Sequence, residues 1–161
     1  MALTQKSLTP EHQYEMDEFQ CLNLNVTCPK GLVQAEGFPV AVWVHGYDCR
    51  CGSNIDNVDM AALVENSVEI GMPTVMVTIN YRLGVLGFLA SDDIRRDNEA
   101  AGDKGVGNYG LRDQLLAFEW VKKNIAAFGG DPTRITAMGE SAGYSWPPLL
   151  QRATTPGIYM N

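Results

Sequence analysis

The chain has no run of basic residues, no apolar stretch long enough to cross a bilayer, and no histidine after position 45. Each absence excludes something. Twelve Lys and Arg against 19 Asp and Glu leave a formal net charge of -7. An acidic chain without a basic patch is a poor match for nucleic acid or an anionic membrane surface. The most apolar stretch, Leu83 to Ala90, falls far short of the roughly 20 residues a spanning helix needs. The first residues, MALTQKSLTPEHQYEMDEFQ, are polar and acidic and lack the apolar centre of a signal peptide, which predicts a cytoplasmic chain. Cysteine is scarce, at positions 21, 28, 49 and 51. Without an export signal these read as free thiols rather than a disulfide framework. The sequon Asn25-Val26-Thr27 would matter only in a secreted chain. There is no internal repeat and no low-complexity tract.

What remains is ordinary globular material. Of 161 residues, 45% are hydrophobic and 19% charged, enough for one domain with a sizeable core. Three short apolar runs, Val40–Val44, Thr74–Ile79 and Arg134–Met138, do not alternate and are rich in β-branched residues. Such runs predict parallel strands covered on both faces. Cys21 to Val26 alternates, with Leu22, Leu24 and Val26 on one side, as suits an outer antiparallel strand. Between the runs lie helical patterns. Residues 59–70 carry Ala62, Leu63, Val64 and Val68 behind a candidate Asp59 cap, and Gly71 and Pro73 stop them. Leu111, Leu115, Phe118 and Ile125 form one stripe over 111–128, ended by Gly129-Gly130-Asp131-Pro132. The polar, glycine-rich stretch 91–110 reads as a long loop. Alternating strands and helices predict an α/β domain.

Four motifs bear on chemistry. Gly139-Glu140-Ser141-Ala142-Gly143 is G-x-S-x-G directly after a predicted strand. That is the setting in which a sharp strand-to-helix turn lifts a serine clear of a sheet, with room there only for glycine at 139 and 143. Ser141 is therefore the candidate nucleophile. His45-Gly46-Tyr47-Asp48 follows the run 40–44, where a serine esterase places the backbone N–H groups that hold an oxyanion. Gly105-Val106-Gly107-Asn108-Tyr109-Gly110 matches G-x-G-x-x-G, but no strand precedes it, so the dinucleotide reading fails. His45, Cys49 and Cys51 fit no zinc spacing, and no fourth ligand stands near. Neither cofactor nor metal is expected.

The segments CLNLNV (21–26), PVAVWVHG (39–46), VTINYRLGVLGFLAS (77–91) and GNYGLRDQLLAFEWVKKNIAAFGGDPTRITAMGESAG (107–143) resemble the N-terminal part of the type B carboxylesterases. These form the cholinesterase-like branch of the α/β-hydrolase fold. The resemblance spans 18–143 and implies one partial α/β-hydrolase domain over 1–161, with a polar tail (1–17) and a divergent end (144–161). It implies that Ser141 forms the acyl-enzyme on a small ester substrate. It also implies that the backbone N–H groups of Tyr47, Asp48 and Ala142 hold the oxyanion, with His45, Gly46, Gly139, Glu140 and Gly143 shaping the turns. Several residues depart from the family pattern. Tyr47 and Asp48 replace a glycine run, and Asp48 puts negative charge where a negative oxygen would form. Pro147 and Pro148 interrupt the helix expected after the nucleophile. Cys21 lacks the upstream disulfide partner of its family counterpart.

The two histidines, His12 and His45, both precede Ser141, against the Ser…acid…His order of the fold. The expectation is a truncated chain without the triad acid and histidine. The alternatives are a non-catalytic remnant or interaction module, or, less favoured, a minimal hydrolase using His45 as its base. The strand 134–138 would then be an uncovered sheet edge, a route to self-association.

Overall fold

The computed structural model describes residues 20–46, 60–103, 105–145 and 158–160. Its five strands are β1 (Leu24–Thr27), β2 (Phe38–Val44), β3 (Val75–Ile79), β4 (Gly130–Gly139) and β5 (Ile158–Met160). They form one sheet in the order β1-β3-β2-β4-β5. β1 runs antiparallel to β3, and all other neighbours are parallel. The apolar runs become the central strands because both their faces are covered. Val40, Val42, Val44, Val75, Val77, Ile79, Ile135 and Ala137 share one buried cluster with Phe118, Val121 and Ile125. Ala41 and Met76 lie in a second cluster with Met60 and Val64, and Trp43 and Met138 pack against it. Helix α1 (Ala61–Glu69) thus covers one face, and α4 (Tyr109–Asn124), continued by a 3-10 turn at Ile125–Phe128, covers the other.

The connections fix where a site can form. From β2 the chain passes through α1 to β3 on one side of β2. From β3 it passes through α2 (Gly84–Phe88), α3 (Asp92–Ala100) and α4 to β4 on the other side. The winding direction reverses at β2. In open α/β sheets, ligands sit outside the carboxyl ends of the strands at such a reversal. Here that place is the gap beyond Val44 and Gly139, which are register partners.

Several expectations need correcting. The stretch 91–110 is not one loop, since α3 occupies Asp92–Ala100. Ser91 caps it by accepting from the Ile94 N–H at 3.2 Å, and Asp92 and Asp93 sit in its first turn. None of its residues is buried, so no apolar stripe marked it. In α1 only Val64 is buried, while Leu63 and Val68 face outward; Asp59 lies outside the described residues. In α4 the buried face is Gly110, Asp113, Gln114, Phe118 and Val121. Leu111 and Leu115 are only half-buried. Gly129 does end the helical region, in the left-handed conformation (φ 79°), but Gly130-Asp131-Pro132 already begins β4. The strand 134–138 is not an uncovered edge. Ile135, Thr136 and Ala137 pair with Ile158, Tyr159 and Met160, so β5 becomes the outer strand on that side.

One ion pair ties the β3 exit to α4. The Asp113 carboxylate accepts from the Arg82 backbone N–H (3.0 Å), Nε (2.7 Å) and Nη2 (2.7 Å). Asp113 is buried, and the Arg82 guanidinium is about one-third exposed and lies over the Tyr109 ring. Planar guanidinium and carboxylate match in this two-pronged geometry. Removing one partner of a buried pair strands the other. Asp113→Ala is therefore expected to lower stability by about 3 kcal/mol, toward the low end for a buried pair because Arg82 reaches solvent. Urea denaturation followed by tryptophan fluorescence checks it, and a shift under about 0.5 kcal/mol, the size of an ordinary surface change, would refute it.

Candidate active site

β4 ends at Gly139 and α5 (Ala142–Ser145) begins three residues later. The chain turns between them at Glu140 and Ser141, and the Gly143 N–H donates to the Glu140 carbonyl at 2.8 Å. Ser141 has φ 50°. Only Asn108 shares a positive φ among the described non-glycine residues. A left-handed serine is a strained backbone state that persists only where surrounding structure enforces it. Both Glu140 and Ser141 are exposed.

The enforcement comes from backbone packed on backbone. A Cβ on Gly143 would stand 2.1 Å from the Val44 carbonyl oxygen and 2.8 Å from that of His45. One on Gly139 would stand 2.6 Å from the Gly143 carbonyl group. One on Gly46 would stand 2.2 Å from the Glu140 oxygen and 3.1 Å from the Ser141 Cβ. The turn after β2 and the turn after β4 are thus in direct contact, with glycine at every crossing point. This meets the sequence expectation for 139 and 143, and it shows the same constraint on Gly46.

His45 is buried rather than poised in the gap. Its ring stacks on Tyr81, with centroids 4.4 Å apart and planes 19° from parallel. Its carbonyl accepts from the Tyr81 hydroxyl at 2.9 Å. Nδ1 lies 3.5 Å from the Gly46 carbonyl oxygen, so it carries the proton in any bond made there. Nε2 has no hydrogen-bond partner among the described residues, so it is not bonded to the Ser141 hydroxyl. Burial pushes the His45 pKa down, and the weak bond to Gly46 partly opposes this.

The structure brings together His45, Gly46, Gly139, Glu140, Ser141, Ala142 and Gly143 at the carboxyl ends of two adjacent strands. Tyr47 and Asp48 lie outside the described residues, as do His12, Cys49, Cys51, Pro147 and Pro148. Among the described residues no group of three or more His, Cys, Asp or Glu could hold a metal ion. None of their helices is long and apolar enough to cross a membrane. Sequence reasoning missed Tyr81. The available signal was a tyrosine two residues beyond a buried strand, where it stays in the core and must find a partner for its hydroxyl.

Comparison with known proteins gives a consistent picture. A family model described as "Carboxylesterase family" matches residues 2–146. The chain is 46% identical over 132 residues to "Fumonisin B1 esterase" of Sphingopyxis macrogoltabida, covering 81% of this chain and 22% of that protein. It is 44% identical to "Lipase 2" of Diutina rugosa, covering 76% of this chain and 21% of the lipase. The crystal structure of Aspergillus niger EstA superposes with a TM-score of 0.63 at 38% identity, over 77% of this chain and 22% of that one. The chain spans about a fifth of the length of the relatives it matches.

Two outcomes follow from the packing. Gly143→Ala is expected to lose about 3 kcal/mol, because backbone must shift to admit the methyl. Gly31→Ala, which strains a positive φ (74°) but has nothing within 4 Å of its Cβ, should lose only about 1 kcal/mol. Urea midpoints of the two variants compare them, and equal losses would refute the crowding. The second outcome concerns pH. With the folded pKa of His45 depressed, the unfolded chain binds the proton first below about pH 6.5. Its contribution is therefore full above that pH and is lost as the pH falls toward the folded pKa. Between pH 7.5 and 5.5 the urea midpoint of the parent should drop more than that of His45→Phe; parallel drops would refute it.

Proposed function

We propose, from the premise that the chain belongs to the carboxylesterase family, that Ser141 is the nucleophile for hydrolysis of a carboxylic ester. The observation that carries this reading is the left-handed, exposed Ser141 held against Gly46 at the sheet's reversal point. A serine so placed stands exposed at the strand ends, its backbone fixed by close neighbours, which suits attack on a bound carbonyl.

The chemistry runs in two halves. Ser141 Oγ loses its proton to a base and bonds to the ester carbonyl carbon, and the carbonyl oxygen takes the electron pair. Collapse expels the alcohol, which leaves with the proton, and an acyl-enzyme on Ser141 remains. Water then attacks the acyl carbon, releasing the acid and restoring the hydroxyl. The negative oxygen of each intermediate would be held by the backbone N–H groups of Tyr47, Asp48 and Ala142. His45, stacked on Tyr81 with Nε2 unbonded to Ser141, is poorly placed as the base. On this reading the 161 residues supply the nucleophile and its turn, and the triad acid and histidine belong to the part of the family fold that they do not span. The relatives' names, fumonisin B1 esterase and lipase, support carboxylic esters as the substrate class.

A second reading has its own support. Tyr47 and Asp48 stand where the family resemblance implies glycine, and an aspartate there opposes an oxyanion. That favours a non-catalytic member of the family. One experiment separates the two: exposure of the purified chain to p-nitrophenyl acetate beside Ser141→Ala. The expected result is acetylation of the Ser141 peptide, seen by mass spectrometry. Turnover should be no greater than the roughly 10³- to 10⁴-fold acceleration over water that survives loss of triad members. The acetyl adduct should be absent in Ser141→Ala, and any turnover left there should not exceed the same residual level. No acetyl adduct in either protein would establish the non-catalytic reading. Turnover typical of an intact esterase would show that the base lies within these residues.

A further inference from the structure

We propose that Tyr81, which contributes no atom to the reacting centre, is the residue that positions the 45–46 turn against Ser141. This deepens the reading of Ser141 as nucleophile and rests on it. Tyr81 lies just beyond β3 and is 4% exposed. A buried phenol needs a partner for its hydroxyl. It finds one in the His45 carbonyl at 2.9 Å, the first residue after β2 ends at Val44. The ring of the same tyrosine stacks on the His45 imidazole. Backbone and side chain of His45 are therefore both held from β3, by two different forces, at the point where sheet pairing stops.

The consequence reaches the serine through a single residue. Gly46 follows His45 and lies against the Glu140 backbone and the Ser141 Cβ, so close that even a methyl on Gly46 would collide. The His45 carbonyl itself lies against Gly143 on the far side of the turn. Movement of His45 thus shifts both flanks of Ser141. Misplacing groups by about 1 Å costs up to about 100-fold in rate even when no contact to substrate is lost. A tyrosine that merely filled the core would behave differently. Loss of its hydroxyl would weaken the fold slightly and leave the reactivity of Ser141 unchanged.

Tyr81→Phe in the full chain separates these roles, because it keeps the ring and its stack and removes only the hydroxyl. Two quantities are measured beside the parent. In amide hydrogen exchange read by mass spectrometry, peptides covering 44–46 are expected to exchange about tenfold faster. Peptides covering Val75–Ile79 and Phe118–Val121 should keep the parent rates. In Ser141 acetylation against p-nitrophenyl acetate concentration, the limiting rate is expected to fall about 10- to 100-fold with the half-saturating concentration unchanged. Tyr81→Leu, which removes ring and hydroxyl together, should raise exchange at 44–46 further. Parent-like exchange at 44–46 in Tyr81→Phe overturns the inference, as does a rate loss confined to half-saturation. If the parent shows no acetylation of Ser141, the nucleophile reading has failed, and exchange at 44–46 alone decides whether Tyr81 positions the turn.

Discussion

The contact between two strand ends governs this molecule. Val44 of β2 and Gly139 of β4 are register partners, so the chain leaves both strands at the same height. Just beyond them the backbone of Gly46 meets Glu140 and Ser141, and that of Gly143 meets Val44 and His45. Interiors are close-packed, and two main chains approach this near only where at least one of them carries no side chain at the crossing. The strained φ of Ser141 follows from that crowding. The serine has little choice of conformation because its neighbours on both sides have none.

This contact depends in turn on supports further out. α4 and the 3-10 turn after it press the sheet from one face through Phe118, Val121 and Ile125. The first turns of α4 are fastened to the β3 exit by the three bonds from Arg82 to Asp113. Tyr81 sits between that fastening and His45. Gln114, one residue beyond Asp113, is fully buried, and neither of its amide atoms has a hydrogen-bond partner among the described residues.

Much of this was legible in the sequence because the central strands satisfy one simple condition. Covered on both faces, they should be nearly continuous in apolar residues; Val40–Val44 is, and Val75–Ile79 is broken only by the buried Thr78. The turn at Ser141 was legible because only glycine fits on either side of it. The failures have equally specific causes. α3 is held by a serine cap and surface charges rather than burial, so a search for apolar stripes passes over it. The outward Leu63 and Val68 misled because an apolar residue on a helix does not have to face the core. The pairing of β5 with β4 is a long-range fact with no local mark. Tyr81 stood two residues beyond a buried strand, but its partner was not legible, because its hydroxyl bonds a backbone carbonyl and carbonyls have no sequence signature.

The sheet order also bears on how the molecule comes to exist. β2 and β3 are joined through one helix, but β4 reaches β2 only after three more helices have been traversed. Contacts between segments far apart along the chain are entropically costly to close and tend to form late in folding. The Val44–Gly139 pairing is such a contact, and every feature of the serine turn lies downstream of it. A nascent or partly unfolded chain can thus possess β2, β3 and α1 and still have no strained serine. The strained serine turn is a property of the finished topology, and Ser141 acquires its left-handed backbone only when the distant strands pair.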